Sequence, residues 1–173
     1  MNIRKGTPED IDELEALYNE LNDYLKANIN YPGWIKHIYP VRETAEEGIE
    51  AGDLYVAEAG AKIAGSVILS HEPEAAYDQV KWGIDADYRD IVVIRTLVVH
   101  PLFMSEGIGV ELMTFAEKYA LQKKMKAIRL DVSVGNLAAI SLYEKLGYKY
   151  IGTVDLGLPY EHLKWFKLYE LLI

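Results

Sequence analysis

The sequence contains no cysteine. That excludes disulfides, thiolate metal sites and a cysteine nucleophile, and it fits a cytoplasmic location. No apolar run approaches the roughly 18 residues of a membrane span, so no membrane partner is expected. The opening residues, MNIRKGTPED, hold no apolar signal region, and secretion is not expected either. Basic residues are in deficit: 18 Lys and Arg face 27 Asp and Glu, a formal net charge of −9. Nucleic acid would be repelled by that balance unless a local basic patch were strong. The tight basic cluster, Lys123-Lys124-Met125-Lys126, closes a helical pattern, where lysines favour the helix dipole. An acidic surface is compatible with a cationic amine as substrate, although solubility alone accounts for it equally well. No spacing of His, Asp and Glu suggests a metal. Repeats, low-complexity tracts and linkers are also lacking, so residues 1–173 read as a single domain with a sizeable core.

What is present is a regular alternation of periodic segments. Asn2 to Lys5 predicts a short strand, and Thr7-Pro8-Glu9-Asp10 a helix start, with a capping residue, proline in the first turn and acids at the positive end. Ile11, Leu14, Leu17, Tyr18, Leu21, Tyr24 and Leu25 then form one apolar helix face. The segment 29–40, INYPGWIKHIYP, is broken by prolines and glycine and is rich in aromatics. It reads either as a lid on the core or as a lining, through Tyr31, Trp34 and Tyr39, for an acceptor pocket. Arg42 to Ala51 predicts a second helix. Asp53 to Glu58 and Lys62 to Ser70 predict a hairpin, with Gly65 as a candidate bulge. Tyr77 to Trp82 reads as a strand and Ile84 to Asp90 as a polar connection. Gly107 to Gln122 predicts a helix with Ile108, Leu112, Phe115, Ala116 and Tyr119 on its buried stripe. Ala127 to Val132 is a strand, Asn136 to Leu146 a helix closed by Gly147, and Tyr148 to Val154 and Lys164 to Leu171 are the last strands. Trp165 to Tyr169 could be an internal strand or the edge of a homodimer. The order β-α-α-β-β-β-α-β-α-β-β is α/β (α+β), a mixed sheet flanked by helices.

The organising stretch is IVVIRTLVVHPLFMSEGIGV, Ile91 to Val110. Its first nine residues are β-branched or apolar apart from Arg95 and Thr96, as in a strand buried on both faces. His100-Pro101 ends it. Glycines then precede an amphipathic helix, a combination that seats a pyrophosphate on free N–H groups at a positive helix end. A Walker loop would need Lys-Ser or Lys-Thr where Val110-Glu111 stand, and a dinucleotide fingerprint would need glycine at Leu112.

Leu97-Val98-Val99-His100-Pro101 through Gly107-Ile108-Gly109 instead resembles the acetyl-CoA loop of the GNAT acetyltransferase superfamily. A second match lies at Asn136, Ala139, Tyr143, Gly147 and Tyr148, which fit the pattern N-x-x-A-x-x-x-Y-x-x-x-G-[FY]. Where the family usually has Gln or Arg this chain has Met104, and where it often has Gly, Ser105.

The resemblance implies a mostly antiparallel sheet of about seven strands flanked by four helices and splayed between the fourth and fifth strands. It implies acetyl-CoA as cofactor. Leu97, Val98 and Val99 would pair with its pantetheine arm, and Met104, Ser105, Glu106, Gly107, Ile108, Gly109 and Val110 would cradle its pyrophosphate. Asn136, Ala139 and Tyr143 would line its passage, with Tyr143 as acid toward the departing thiolate. The expected activity is direct acetyl transfer to a primary amine, a small molecule or a peptide N-terminus. Without cysteine there is no acyl-cysteine route. The alternative is a non-catalytic acyl-CoA-binding or sensing module. A glutamate common in the family's fourth strand falls near Arg95 and Thr96, neither of which is a carboxylate base; Arg95 could bind an acidic group of the acceptor. Glu72 is the candidate replacement base, with His71 and Asp90 behind it, and proton loss through ordered water stays open. His100 and Asp131 read as structural, Asp131 through a hydrogen bond to a neighbouring loop.

Overall fold

The computed structural model describes residues 1–173. Seven strands form one mixed sheet in the order β1-β2-β3-β4-β5-β7-β6. They are β1 (Asn2–Lys5), β2 (Leu54–Ala59), β3 (Lys62–Ser70), β4 (Ile91–Val99), β5 (Ala127–Ser133), β6 (Lys149–Asp155) and β7 (Trp165–Leu172). The helices are α1 (Ile11–Ala27), α2 (Arg42–Glu50), α3 (Ile108–Gln122) and α4 (Leu137–Lys145). None is long and apolar enough to cross a membrane. The chain divides into two compact units, the first comprising Met1–Asn30, Trp34–Leu69 and Arg95–Ala116, the second Tyr31–Gly33, Ser70–Ile94 and Glu117–Ile173.

In the first unit, β1, β2 and β3 run antiparallel. Leu14, Leu17, Tyr18, Leu21 and Leu25 of α1 pack with Leu54, Val56, Ile63 and Val98 in one apolar cluster. The predicted helix face is right except at one position: Tyr24 is exposed and Asn22 is buried in its place. Before α1, Asp10 accepts the Thr7 N–H and a bidentate pair of bonds from Arg4, which holds its carboxyl below the usual range. Gly65 does mark a bulge. Ala57 stands opposite Gly65 but Glu58 opposite Ile63, so Ala64 is the extra residue. A side chain at Gly65 would lie 2.6 Å from the Val98 carbonyl oxygen, so β4 can approach only a glycine there.

In the second unit, β4 pairs parallel with β5 from Ile91↔Ala127 to Ile94↔Leu130, and the ladder ends there although both strands continue. This is the expected splay. β5 and β6 both pair antiparallel with β7. β7 is therefore an internal strand, the first of the two alternatives for Trp165 to Tyr169, and offers no sheet edge there. The predicted strand at Tyr77 to Trp82 is instead a 3-10 turn over Ala75–Gln79. β3 and β4 neighbour each other in the sheet, so the segment that joins them adds no strand between them. Its aromatics fold inward, with Tyr77 fully buried and the Trp82 indole donating to the Tyr77 carbonyl at 3.0 Å. The buried stripe of α3 also turns slightly from the predicted one. Ile108, Leu112, Met113, Ala116 and Ala120 are buried, while Phe115 and Tyr119 are only partly so.

Candidate active site

The first unit supplies a strand with an unpaired margin and a glycine loop. Beyond Ile94, β4 has no β5 partner, and Arg95, Leu97 and Val99 alternate as its half-buried residues. Thr96 has φ +48°, a left-handed conformation that β-branched residues rarely adopt. Such strain persists only where its surroundings impose it, and it concentrates at functional sites. His100 ends the strand as a structural residue: its Nδ1 accepts the Leu102 N–H at 3.1 Å, and its Nε2 lies 3.1 Å from Glu20.

The loop then turns through Ser105 at φ +68° and Gly107 at φ +82° into α3. Nothing lies within 4 Å of a side chain built on Gly107, so it serves the backbone turn rather than close packing, and the space beside it is open. The N–H groups that open α3 have no preceding helical carbonyls and carry partial positive charge. An open, positive-φ turn feeding a helix N-terminus fits a diphosphate. The Met104 side chain packs against the α1–β2–β3 cluster.

The same unit holds a polar group that the sequence reading missed. Tyr18 and Asn22, one turn apart on α1, and Ser66 on β3 are all buried. Tyr18 Oη, Asn22 Oδ1 and Ser66 Oγ have no hydrogen-bond partner. Ser66 nevertheless faces the Tyr18 phenol and pulls its pKa down, against the larger upward push of burial that carries it to about 12. Asn22 Nδ2 is spent on the Tyr39 carbonyl at 3.1 Å. The Tyr39 hydroxyl meets Thr96 Oγ1, and its ring stands edge-on to Trp34. Trp34 and Tyr39 are thus brought together, whereas Tyr31 belongs to the other unit. The readable signal was Asn22, a polar residue four positions after Tyr18 on an otherwise apolar face.

The second unit supplies the motif helix. Asn136 caps α4, its Oδ1 accepting the Ala139 N–H at 3.2 Å. Two turns on, Tyr143 is buried with its ring near Tyr148 and Tyr169. Its hydroxyl has no hydrogen-bond partner in the protein, and burial, then the negative charge of Asp131, push its pKa far above the ordinary phenol value. Tyr148 is likewise buried and raised, with Glu117 adding to the effect. Asp131 accepts from Tyr77 at 2.7 Å, the expected bond to a neighbouring loop. Of the candidate bases, Glu72 is exposed on the bend after β3. His71 Nδ1 lies 2.6 Å from the Ile91 carbonyl oxygen, and Asp90 pairs with Lys126 at 2.9 Å.

A mixed seven-stranded sheet, splayed after the first half of β4, with a positive-φ loop into α3, is the fold of the GNAT acetyltransferases. The chain belongs to the acetyltransferase (GNAT) family, whose model matches residues 14–148. An uncharacterised N-acetyltransferase of Methanocaldococcus jannaschii is 27% identical over 153 residues, 85% of this chain and 60% of that protein. The match thus spans about six-tenths of that relative's length. A ribosomal-protein-alanine N-acetyltransferase from Brucella melitensis superposes over 100% of both chains with TM-score 0.72 at 18% identity. A Salmonella typhimurium structure described with its cofactor acetyl-CoA covers 99% of this chain and 93% of its own, with TM-score 0.69 and 16% identity.

Proposed function

We propose that this chain is an acetyl-CoA-dependent N-acetyltransferase that transfers the acetyl group directly to a primary amine, either a small molecule or a peptide N-terminus. The observation that carries the reading is Tyr143, a buried phenol with no hydrogen-bond partner, kept protonated by its surroundings. Bound acetyl-CoA supplies the acyl group as a thioester, activated toward an amine. The open turn at Ser105 and Gly107 and the first N–H groups of α3 suit its diphosphate. The free margin of β4 at Leu97 and Val99 suits an extended amide arm. Asn136 and Ala139 keep the start of α4 ordered and narrow. Tyr143 would give its phenolic proton to the departing sulfur as the C–S bond breaks, and would regain a proton, by way of water, from the amine nitrogen that forms the C–N bond.

Calorimetric titration with acetyl-CoA and CoA tests the cradle, with binding expected near micromolar, about −8 kcal/mol. Tyr143→Phe should then lower turnover roughly 100-fold or more while leaving acetyl-CoA affinity within about threefold. Binding without turnover of any amine would support the non-catalytic acyl-CoA-binding reading, which the lack of a carboxylate at Arg95 and Thr96 favours. Absence of binding would remove both readings.

A further inference from the structure

The buried cluster of Tyr18, Asn22, Ser66 and Thr96, with the exposed Tyr39 at its margin, contains no charged side chain. Its hydrogen-bonding capacity is incomplete: Asn22 Oδ1 can only accept, and the Tyr18 and Ser66 hydroxyls can each give or take a proton. Most charges on the elements around it are paired elsewhere or exposed, His37 of the Tyr39 segment among the exposed. On α1, Glu13 accepts the Ile63 N–H, Glu20 faces His100, Asp12 and Glu15 hold Arg42, and Asp23 holds Lys36. Lys62, at the start of β3, is exposed. On β4 the neighbouring charge is Arg95, a cation. Burial raises the Tyr18 phenol, the Ser66 hydroxyl lowers it, and Tyr39 adds a smaller upward push.

A neutral, desolvated cluster opposes an ammonium and accepts an uncharged amine, whose N–H can satisfy Asn22 Oδ1 and whose lone pair can take a hydroxyl proton as a hydrogen bond. It lies beside the strained Thr96, in the part of β4 where a base would be expected and none stands. Resting on the acetyltransferase reading above, we propose that this cluster seats the acceptor nitrogen as a free base. The acceptor is then a weakly basic primary amine, such as the α-amine of an amino-acid amide or peptide, rather than a lysine-type side chain. The amine takes the place that the Tyr39 hydroxyl holds against Thr96. The ammonium proton goes to water before binding. In the transfer the nitrogen loses one further proton and the sulfur gains one, so no carboxylate base is required.

Reference pKa values of about 7.7–8.0 for an α-amine and 10.4 for a lysine amine make their free-base fractions at pH 7 differ by a few hundredfold. Glycinamide and Nα-acetyllysinamide serve as the probes. With acetyl-CoA, kcat/KM at pH 7 should favour glycinamide at least tenfold. Its profile should level off near the amine's own pKa, while that of Nα-acetyllysinamide should keep rising about tenfold per pH unit toward pH 10. A shared inflection at one pH for both amines would report a base of the enzyme and overturn the proposal.

A second readout needs no turnover. Calorimetric binding of glycinamide to the CoA-saturated protein below pH 7, in buffers of different ionisation enthalpy, should show release of close to one proton. No release would overturn the proposal. Asn22→Asp should narrow the preference between the two amines at least tenfold, by admitting an ammonium; the wild-type profiles decide the matter whether or not that variant folds. If acetyl-CoA binds and another primary amine is acetylated but neither of these, the proposal fails and the acetyltransferase reading stands; if no amine is acetylated, that reading fails.

Discussion

Two buried polar clusters, one in each compact unit, are built in opposite ways. In the second, Arg129 and Glu170 are each 3% exposed and sit 2.9 Å apart. Glu170 also accepts the Gly83 N–H at 2.8 Å, and Arg129 donates to the Ile84 carbonyl at 2.8 Å. The guanidinium lies 4.3 Å from the Trp82 ring centre and 5.2 Å from that of Tyr88. This network is charged and closed, and it ties the segment around Gly83 to β5 and β7. In the first unit, Tyr18, Asn22 and Ser66 are equally buried, yet they are neutral and leave three atoms unpartnered. A closed polar network fixes structure. An open one keeps hydrogen-bonding capacity for something not yet bound, and that capacity is what distinguishes a site from a scaffold.

Breaking the closed network should have the largest effect. Glu170→Ala leaves the Arg129 guanidinium buried without a counter-charge, a loss of roughly 3–5 kcal/mol. At about 2–4 °C per kcal/mol for a chain of this size, the thermal midpoint should fall by roughly 6–20 °C. The double variant Arg129→Met with Glu170→Leu should recover most of that loss, because no buried charge remains. A double variant as unstable as the single one would show that the pair stabilises by more than mutual compensation.

The open cluster should respond differently. Ser66→Ala and Tyr18→Phe remove at most the one contact between these two hydroxyls, so unfolding free energies from urea titration at pH 7 should stay within about 1 kcal/mol of the parent. Amine acetylation should nevertheless fall. A loss of several kcal/mol would reveal a scaffold rather than a site.

The smallest expected effect is on pH dependence. The Tyr18 pKa is raised by burial to about 12 from an ordinary value of 10, so between those values the unfolded chain releases a proton that the folded chain still holds. Its stabilising contribution is therefore complete below pH 10 and lost as pH rises toward 12. Urea titrations at pH 9 and pH 11.5 should show Tyr18→Phe losing less stability with rising pH than the parent does.

Much of the fold was legible because local physics and global order agree. The β-branched run of β4, the glycine turn, the Asn136 cap and the Gly147 terminus at φ +88° each state one element or boundary locally. The buried faces of α1 and α3 were readable from their period to within one or two positions. Asn22 and Met113 differ because the angular extent of a buried stripe is set by what packs on it. The segment from Tyr77 to Trp82 was misread for a related reason. Its composition suits a strand, but β3 and β4, which it joins, are neighbours in the sheet, and Tyr77 is buried from a 3-10 turn instead.

By itself, then, the sequence determined the order of elements, the loop that opens α3 and the motif spacing on α4, since these depend on neighbours within a turn or two. Tertiary structure alone decided where β4 and β5 stop pairing, that Thr96 is held at positive φ, and that β7 is internal. It also decided that Tyr18, Asn22 and Ser66 meet without a complete set of partners. Those features join residues dozens of positions apart, and the balance between burial and hydrogen bonding there is struck by packing, which no local pattern encodes.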